Sequence, residues 1–170
     1  YKRQSEGFIL AQANSNARLL GDEPFQFFEK FPSIQVAVDA DRKNGIEQLL
    51  SLPEKPEVIL LDDAFQHRKV KAGFYILLTS YGDLYSDDCM LPTGNLRETR
   101  SGAKRADLIV VTKCPFDLSL DKQNDIRKRL KLSVNQQLYF TFIAYDTFVY
   151  GEKQKVNINE IQSTVKVLVA

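Results

Sequence analysis

Short apolar segments recur along the chain, and polar or helix-like segments separate them. The apolar runs predict strands at residues 7–11, 34–38, 58–61, 74–78, 108–111, 138–142 and 165–169. The spacing of apolar residues predicts helices at residues 23–31, 42–52 and 121–132, the last capped by Asp121. This alternation predicts an α/β fold in which helices flank a mainly parallel sheet. Residues 145–159 are more polar, and Gly151 among them indicates an antiparallel hairpin.

Composition narrows the class of protein. Of the 170 residues, 44% are hydrophobic and 26% are charged, as in soluble globular domains, and the net charge of +1 indicates no nucleic-acid partner. Cys89 and Cys114 have no metal-ligand spacing and do not indicate a disulfide framework. No apolar run approaches the roughly 20 residues that a transmembrane helix requires.

The length predicts one domain, or most of one, over residues 1–170. The sequence starts at Tyr1 rather than at a methionine, and it stops at Ala170 within an apolar run. We therefore expect a central fragment of a longer protein, with its sheet truncated at both ends.

Two adjacent carboxylates, Asp62 and Asp63, follow the apolar run at 58–61, and His67 is the only histidine of the chain. A strand buried on both faces is typical of parallel sheets, which bind ligands beyond the carboxyl ends of their strands. A carboxylate pair at such a place needs a partner, and a divalent cation is a common one. The pattern indicates a Walker-B-type magnesium site, although two aspartates can also start a turn or cap a helix.

Gly21, Asp22, Glu23 and Pro24 mark the start of the helix predicted at 23–31. Asp22 is a natural N-cap, and Pro24 suits the first helical turn. A carboxylate at this point could also accept a proton from a hydroxyl nucleophile, as a general base does. The residues alone leave both roles open.

Residues 91–98 form a loop that ends in two adjacent charges of opposite sign. Arg97 could hold phosphate oxygens with its forked guanidinium, and Glu98 could complete a magnesium shell. A surface ion pair, which contributes little to stability, is the alternative interpretation.

Asp39 and Asp41 form a D-x-D sequence after the strand predicted at 34–38. Nucleotide-sugar glycosyltransferases use such a pair to hold a metal ion and a diphosphate, but Asp41 can equally begin the next helix. Neither G-x-x-x-x-G-K-[ST] nor G-x-G-x-x-G occurs in the sequence. We expect the phosphate-binding half of a nucleotide site to lie before Tyr1.

Four motifs occur in order along the chain. They are GDEP at 21–24, LLDDAFQH at 60–67, LPTGNLRE at 91–98 and VTKCP at 111–115. Together they resemble the tetraacyldisaccharide 4'-kinase family, the lipid A 4'-kinases of Gram-negative bacteria, over nearly the whole chain. The sequence around these motifs is most similar to the Bacteroidetes branch of the family. In VTKCP, Pro115 stands where guanine-reading GTPases have aspartate, so guanine specificity is not indicated.

This resemblance implies a P-loop NTPase fold and an enzyme that uses ATP and Mg²⁺. The reaction would phosphorylate the 4'-hydroxyl of tetraacyldisaccharide 1-phosphate at the cytoplasmic face of the inner membrane. The motif match implies these roles: Asp22 as general base, Asp62 and Asp63 on the metal, Glu98 assisting the metal, Arg97 on phosphate, Gln66 and His67 near nucleotide or substrate, and Tyr1 beside the acceptor disaccharide.

The family's P-loop, its membrane-associating N-terminal segment and its C-terminal part have no counterpart in these residues. We therefore expect the 170-residue piece to be inactive by itself. Two other hypotheses stay open: a metal-dependent glycosyltransferase that uses Asp39 and Asp41, and a non-catalytic P-loop-like binding module.

Overall fold

The computed structural model describes residues 7–151 and 155–160. The chain divides into two compact units, unit 1 (Tyr1–Gly73) and unit 2 (Phe74–Ala170). Tyr1, the strand predicted at 165–169 and residues 152–154 lie outside the described residues. Within the described ranges, no helix is long and apolar enough to cross a membrane.

Residues 7–73 of unit 1 contain two short strands and three helices. In chain order these are β1 (Ile9–Leu10), α1 (Ala17–Leu20), α2 (Asp22–Lys30), β2 (Ala37–Val38) and α3 (Arg42–Leu50). The strands pair antiparallel, with Ile9 opposite Val38, so the two strands predicted at this end of the chain are shorter than expected and do not pair in parallel. Leu20 and Val38 are buried apolar side chains of this unit.

A side-chain cap and a glycine determine where α1 and α2 begin. The Asn16 side chain accepts from the Leu19 N–H at 3.1 Å and starts α1. Gly21, with φ of +97°, then separates α1 from α2, a conformation that glycine adopts without strain. Gly21 is therefore the N-cap of α2 and Asp22 is its first residue, so the prediction that Asp22 caps this helix is wrong.

Residues 58–61 do not form a strand, contrary to the prediction. Val58 is 73% exposed and Leu60 is 88% exposed. A strand is stable only when its backbone groups bond to a neighbouring strand. The apolar pattern is present, but this segment has no strand partner among the described residues of unit 1.

The three-stranded sheet of unit 2 is fully parallel. Its strands are β3 (Ile76–Ser80), β4 (Leu108–Thr112) and β5 (Gln137–Phe140), in the order β3-β4-β5. The central strand has Ile109 and Val111 at 0% exposure, and these alternate residues share one face. Helix α4 (Leu120–Leu130) joins β4 to β5 and buries Ile126 and Leu130. This arrangement confirms the predicted α/β fold class with a parallel sheet and helices.

The start of α4 differs from the prediction, whereas the last described strands of unit 2 agree with it. Ser119, not Asp121 as predicted, is the N-cap of α4, because its hydroxyl accepts from the Lys122 N–H. Strands β6 (Phe148–Tyr150) and β7 (Lys155–Asn157) pair antiparallel, which confirms the predicted hairpin. The described part of unit 2 also has 3₁₀ helices at Arg100–Arg105 and at Ile158–Glu160.

Candidate functional site

The predicted site residues fall in both units. Asp22, Asp62, Asp63, Gln66 and His67 belong to unit 1, whereas Arg97 and Glu98 belong to unit 2. Each group is considered within its own unit.

A cleft of about 1050 Å³ in unit 1 contains the carboxylate pair. Its lining comes from Phe8, α2, residues 31 and 33–39, α3, residues 54–56 and residues 58–63. The aspartates of this lining are Asp39, Asp62 and Asp63, and Arg42 is its arginine. The cleft therefore contains both members of the pair Asp62 and Asp63, but only Asp39 of the D-x-D pair.

Asp62 and Asp63 are both exposed in a turn at this cleft. The backbone of Asp63 is left-handed, with φ of +43°, a conformation that aspartate tolerates better than most residues. Among residues 7–151 and 155–160, no group of three or more His, Cys, Asp or Glu side chains could hold a metal ion. A carboxylate pair fits Mg²⁺, which proteins commonly bind through one or two carboxylates together with substrate phosphates and waters.

Asp22 is exposed at the first position of α2, and the next two residues, Glu23 and Pro24, line the cleft. The positive end of the helix dipole stabilises a negative charge at this position. Gln66 and His67 are exposed in the loop that follows Asp63, where the His67 N–H donates to the Ala64 carbonyl at 2.9 Å. The arrangement leaves the Asp22 carboxylate accessible to a substrate hydroxyl.

The D-x-D aspartates organise the start of α3. Asp39 accepts from the Asp41 N–H at 2.9 Å and from the Asn44 side chain at 2.6 Å. Asp41 accepts from the Lys43 N–H at 3.0 Å and is the N-cap. A Cβ at Gly45 would lie 3.1 Å from the Asp39 Cβ, so the turn is also closely packed. These contacts give both aspartates structural roles.

Arg97 and Glu98 lie at the end of an ordered loop in unit 2, residues 88–98, called here the 88–98 loop. Asp88 accepts from the backbone N–H groups of Cys89 and Asn95, at 2.7 and 3.0 Å. A Cβ at Gly94 would lie 2.7 Å from the Cys89 nitrogen and closer still to its carbonyl oxygen. Glycine is therefore required at Gly94 for this close backbone approach.

Glu98 pairs with Arg105, a residue that sequence reasoning missed as a partner. The Arg105 Nη1 and Nη2 atoms donate to the two Glu98 carboxylate oxygens, each at 2.9 Å. The Glu98 and Arg105 side chains are only 20% and 29% exposed. Hydrogen bonding to Glu98 raises the pKa of Arg105 above its ordinary value. The predicted ion-pair alternative is thus present, but its cation is Arg105.

Beyond β4, the chain turns sharply at Lys113, whose φ is +58°. Cys114 follows, buried, with its N–H donating to the Thr141 carbonyl at 2.9 Å. Burial raises the pKa of the Cys114 thiol, which keeps it protonated and weakly reactive at neutral pH. The VTKCP motif therefore ends a strand without presenting an accessible thiolate.

Replacing Asp41 tests whether this residue acts as a helix cap or as a metal ligand. In the full-length protein we expect Asp41→Ala to lower the free energy of unfolding by about 1 kcal/mol, because the Lys43 N–H loses its acceptor. Asp41→Asn keeps an acceptor oxygen, so its urea-unfolding midpoint should stay close to that of the wild type. Equal destabilisation by both changes would contradict the capping role.

Comparisons with known proteins agree on one family. The model of the family described as tetraacyldisaccharide-1-P 4'-kinase matches residues 1–166. The chain is 68% identical over 170 residues to a tetraacyldisaccharide 4'-kinase of Flavobacterium johnsoniae, a match that covers 100% of this chain and 50% of that protein. A Flavobacterium psychrophilum protein of the same name is 64% identical over 172 residues, again covering 100% and 50%.

A more distant relative carries the same name. The tetraacyldisaccharide 4'-kinase of Bacteroides thetaiotaomicron is 52% identical over 172 residues, which cover 99% of this chain and 44% of that protein. The chain spans about half the length of the curated relatives it matches. No solved structure matches it. Since the family model covers almost the whole sequence, the chain belongs to the tetraacyldisaccharide-1-P 4'-kinase family.

Proposed function

We propose that the full-length protein containing this segment transfers the γ-phosphate of ATP to the 4'-hydroxyl of tetraacyldisaccharide 1-phosphate, a step of lipid A biosynthesis. The observation that carries the proposal is the family match over residues 1–166, together with relatives named for this kinase. Phosphoryl transfer requires little covalent chemistry from a protein, so positioning and charge neutralisation dominate catalysis.

Asp22 is the general base of this proposal. Its carboxylate accepts the proton of the 4'-hydroxyl while the oxygen bonds to the γ-phosphorus, and the bond from that phosphorus to ADP breaks. The exposed position of Asp22 at the start of α2, next to two residues that line the cleft, supports this role.

Asp62 and Asp63 are the residues that would hold Mg²⁺ together with the phosphates of ATP. A bound magnesium ion neutralises phosphate charge and orients the transferred group. The exposed carboxylates at the cleft supply the oxygen ligands that this ion prefers. Arg97 is proposed to contact phosphate, while the predicted metal-assisting role of Glu98 stays a prediction.

The remaining predicted contacts concern the acceptor. Gln66 and His67 are proposed to lie near nucleotide or substrate, and Tyr1 beside the disaccharide. Because four acyl chains hold the acceptor in a membrane and ATP is supplied from the cytoplasm, we place the reaction at the cytoplasmic face of the inner membrane. Contact with the membrane would involve parts of the full-length protein beyond this sequence, and the proposal includes no nucleic-acid partner.

The base assignment predicts the effect of Asp22→Asn in the full-length enzyme. We expect kcat for phosphate transfer to fall by about 10²- to 10⁴-fold, because the amide cannot accept the hydroxyl proton. The KM for ATP should change little. Glu29→Gln, an exposed change on the same helix, is the matched control and should keep wild-type kcat. A wild-type kcat for Asp22→Asn would contradict the base assignment.

The metal assignment predicts different effects at the two aspartate pairs. Asp62→Asn and Asp63→Asn should each raise the Mg²⁺ concentration that gives half-maximal transfer, since a carboxylate ligand is lost. Asp41→Asn should leave that concentration unchanged, because Asp41 bonds to the start of α3. The reverse pattern would favour the glycosyltransferase hypothesis and contradict the kinase assignment.

A further inference from the structure

The 3₁₀ helix at Arg100–Arg105 is fastened to the amino-terminal edge of the unit 2 sheet. Gln136, which precedes β5, donates from its side chain to the Ala103 and Ala106 carbonyls at 2.7 and 2.8 Å. Asp107 accepts from the Tyr75 N–H, just before β3, at 2.8 Å. The Gln136 contact joins this helix to the residue before β5, and the Asp107 contact joins the residues that enter β3 and β4, so the helix is held beside that edge.

Arg105, the last residue of this helix, holds the Glu98 carboxylate. Its guanidinium donates two parallel hydrogen bonds, each 2.9 Å long, to the two oxygens of one carboxylate. Such a forked contact defines orientation as well as distance, and a lysine cannot reproduce it. The low exposure of both side chains limits the competition from water.

The close packing at Gly102 is independent evidence that this segment accommodates the Glu98–Arg105 pair. A Cβ at Gly102 would lie 2.6 Å from the Glu98 carboxyl carbon and 3.1 Å from the Arg105 Nη1 atom. Glycine is therefore required at this position because the ion pair occupies the space that a side chain would need. Any larger residue at Gly102 would displace the Glu98 carboxylate.

The opposite end of the 88–98 loop is held as well. Arg100 Nε donates to the Asp88 carbonyl at 2.8 Å, and the Asp88 carboxylate accepts from the Asn95 N–H. Arg97 is therefore on a loop whose two ends are both tied to the same 3₁₀ helix.

The forked contact also bears on the metal. Arg105 donates to both Glu98 carboxylate oxygens, and the Glu98 and Arg105 side chains are only 20% and 29% exposed. A Mg²⁺ ion would therefore have to bind a carboxylate that a guanidinium already neutralises.

We propose that Glu98 and Arg105 act as a positioning pair that orients Arg97, and that Glu98 is not a magnesium ligand. The kinetic part of this inference rests on the proposed kinase function. Arg105 holds the Glu98 carboxylate, and Glu98 fixes the backbone from which the Arg97 side chain extends.

The test compares Glu98→Gln, Arg105→Gln and Arg97→Gln in the full-length enzyme, with Asp62→Asn as the metal-site reference. Glu98→Gln and Arg105→Gln should each lower kcat/KM by about 10- to 100-fold, as small misplacements of binding groups do. Both should raise the KM of the same phosphate-bearing substrate that Arg97→Gln affects. The half-saturating Mg²⁺ concentration should stay within about twofold of wild type for both, because only a lost ligand of the ion changes it directly.

Two further comparisons sharpen this test. The double variant Glu98→Gln with Arg105→Gln should lose no more activity than either single variant, since residues that act as one unit are not additive. Lys104→Gln removes a positive charge from the same helix at an exposed position and should keep wild-type kinetics. The inference is overturned if Glu98→Gln raises the Mg²⁺ requirement as Asp62→Asn does, or if the two single effects add.

Amide hydrogen exchange tests the same pair without any turnover. In Arg105→Gln, the backbone amides of residues 91–98 should exchange faster than in wild type, while those of β4 keep their protection. Lys104→Gln should leave both segments unchanged. Unchanged exchange of residues 91–98 in Arg105→Gln would overturn the positioning role, even if the wild-type protein transferred no phosphate to the tested acceptor.

Discussion

The parallel register of β3, β4 and β5 is the constraint on which the rest of unit 2 depends. Because the strands point the same way, their amino ends meet at one edge and their carboxyl ends at the other. Gln136 holds the Arg100–Arg105 helix at the amino edge, where Asp107 also joins the residues that enter β3 and β4. The position of Arg105, of Glu98 and of the whole 88–98 loop therefore depends on strand pairing.

Hydrogen-bonding partners separate the acidic residues of the chain into two kinds. Asp39 and Asp41 accept bonds from the start of α3, and both oxygens of Glu98 accept from Arg105. Carboxylates used in this way stabilise local structure. Asp62 and Asp63 are exposed in a turn and line the cleft of unit 1, which makes them candidates for a metal held jointly with nucleotide phosphates.

The sequence predicted the parts of the fold that local chemistry determines. Helices α2, α3 and α4 lie within two residues of their predicted bounds, since capping residues and apolar spacing act over one or two turns. Strands β3, β4 and β5 lie within two residues of their predicted bounds, because each is a short apolar run between polar turns. The run at 58–61 has the same pattern but no partner strand among residues 7–73, and the local sequence does not indicate that a partner is missing.

The candidate site residues were identified in a different way. The residue chemistry of Asp22, Asp62, Asp63 and Arg97 left structural and functional roles open, and the family resemblance implied the functional ones. The contact between Glu98 and Arg105 could not be foreseen, because the two side chains meet only when the 3₁₀ helix forms. Gly102 between them was the one available signal, and its meaning depends on the folded geometry.

The central claim is tested most directly by incubating the full-length protein with ATP labelled at the γ-phosphate, Mg²⁺ and tetraacyldisaccharide 1-phosphate, and then locating the label in the product. The account predicts transfer of one labelled phosphate to the 4'-hydroxyl of the disaccharide. A folded protein that leaves the acceptor unlabelled, or that labels a different position, would contradict it.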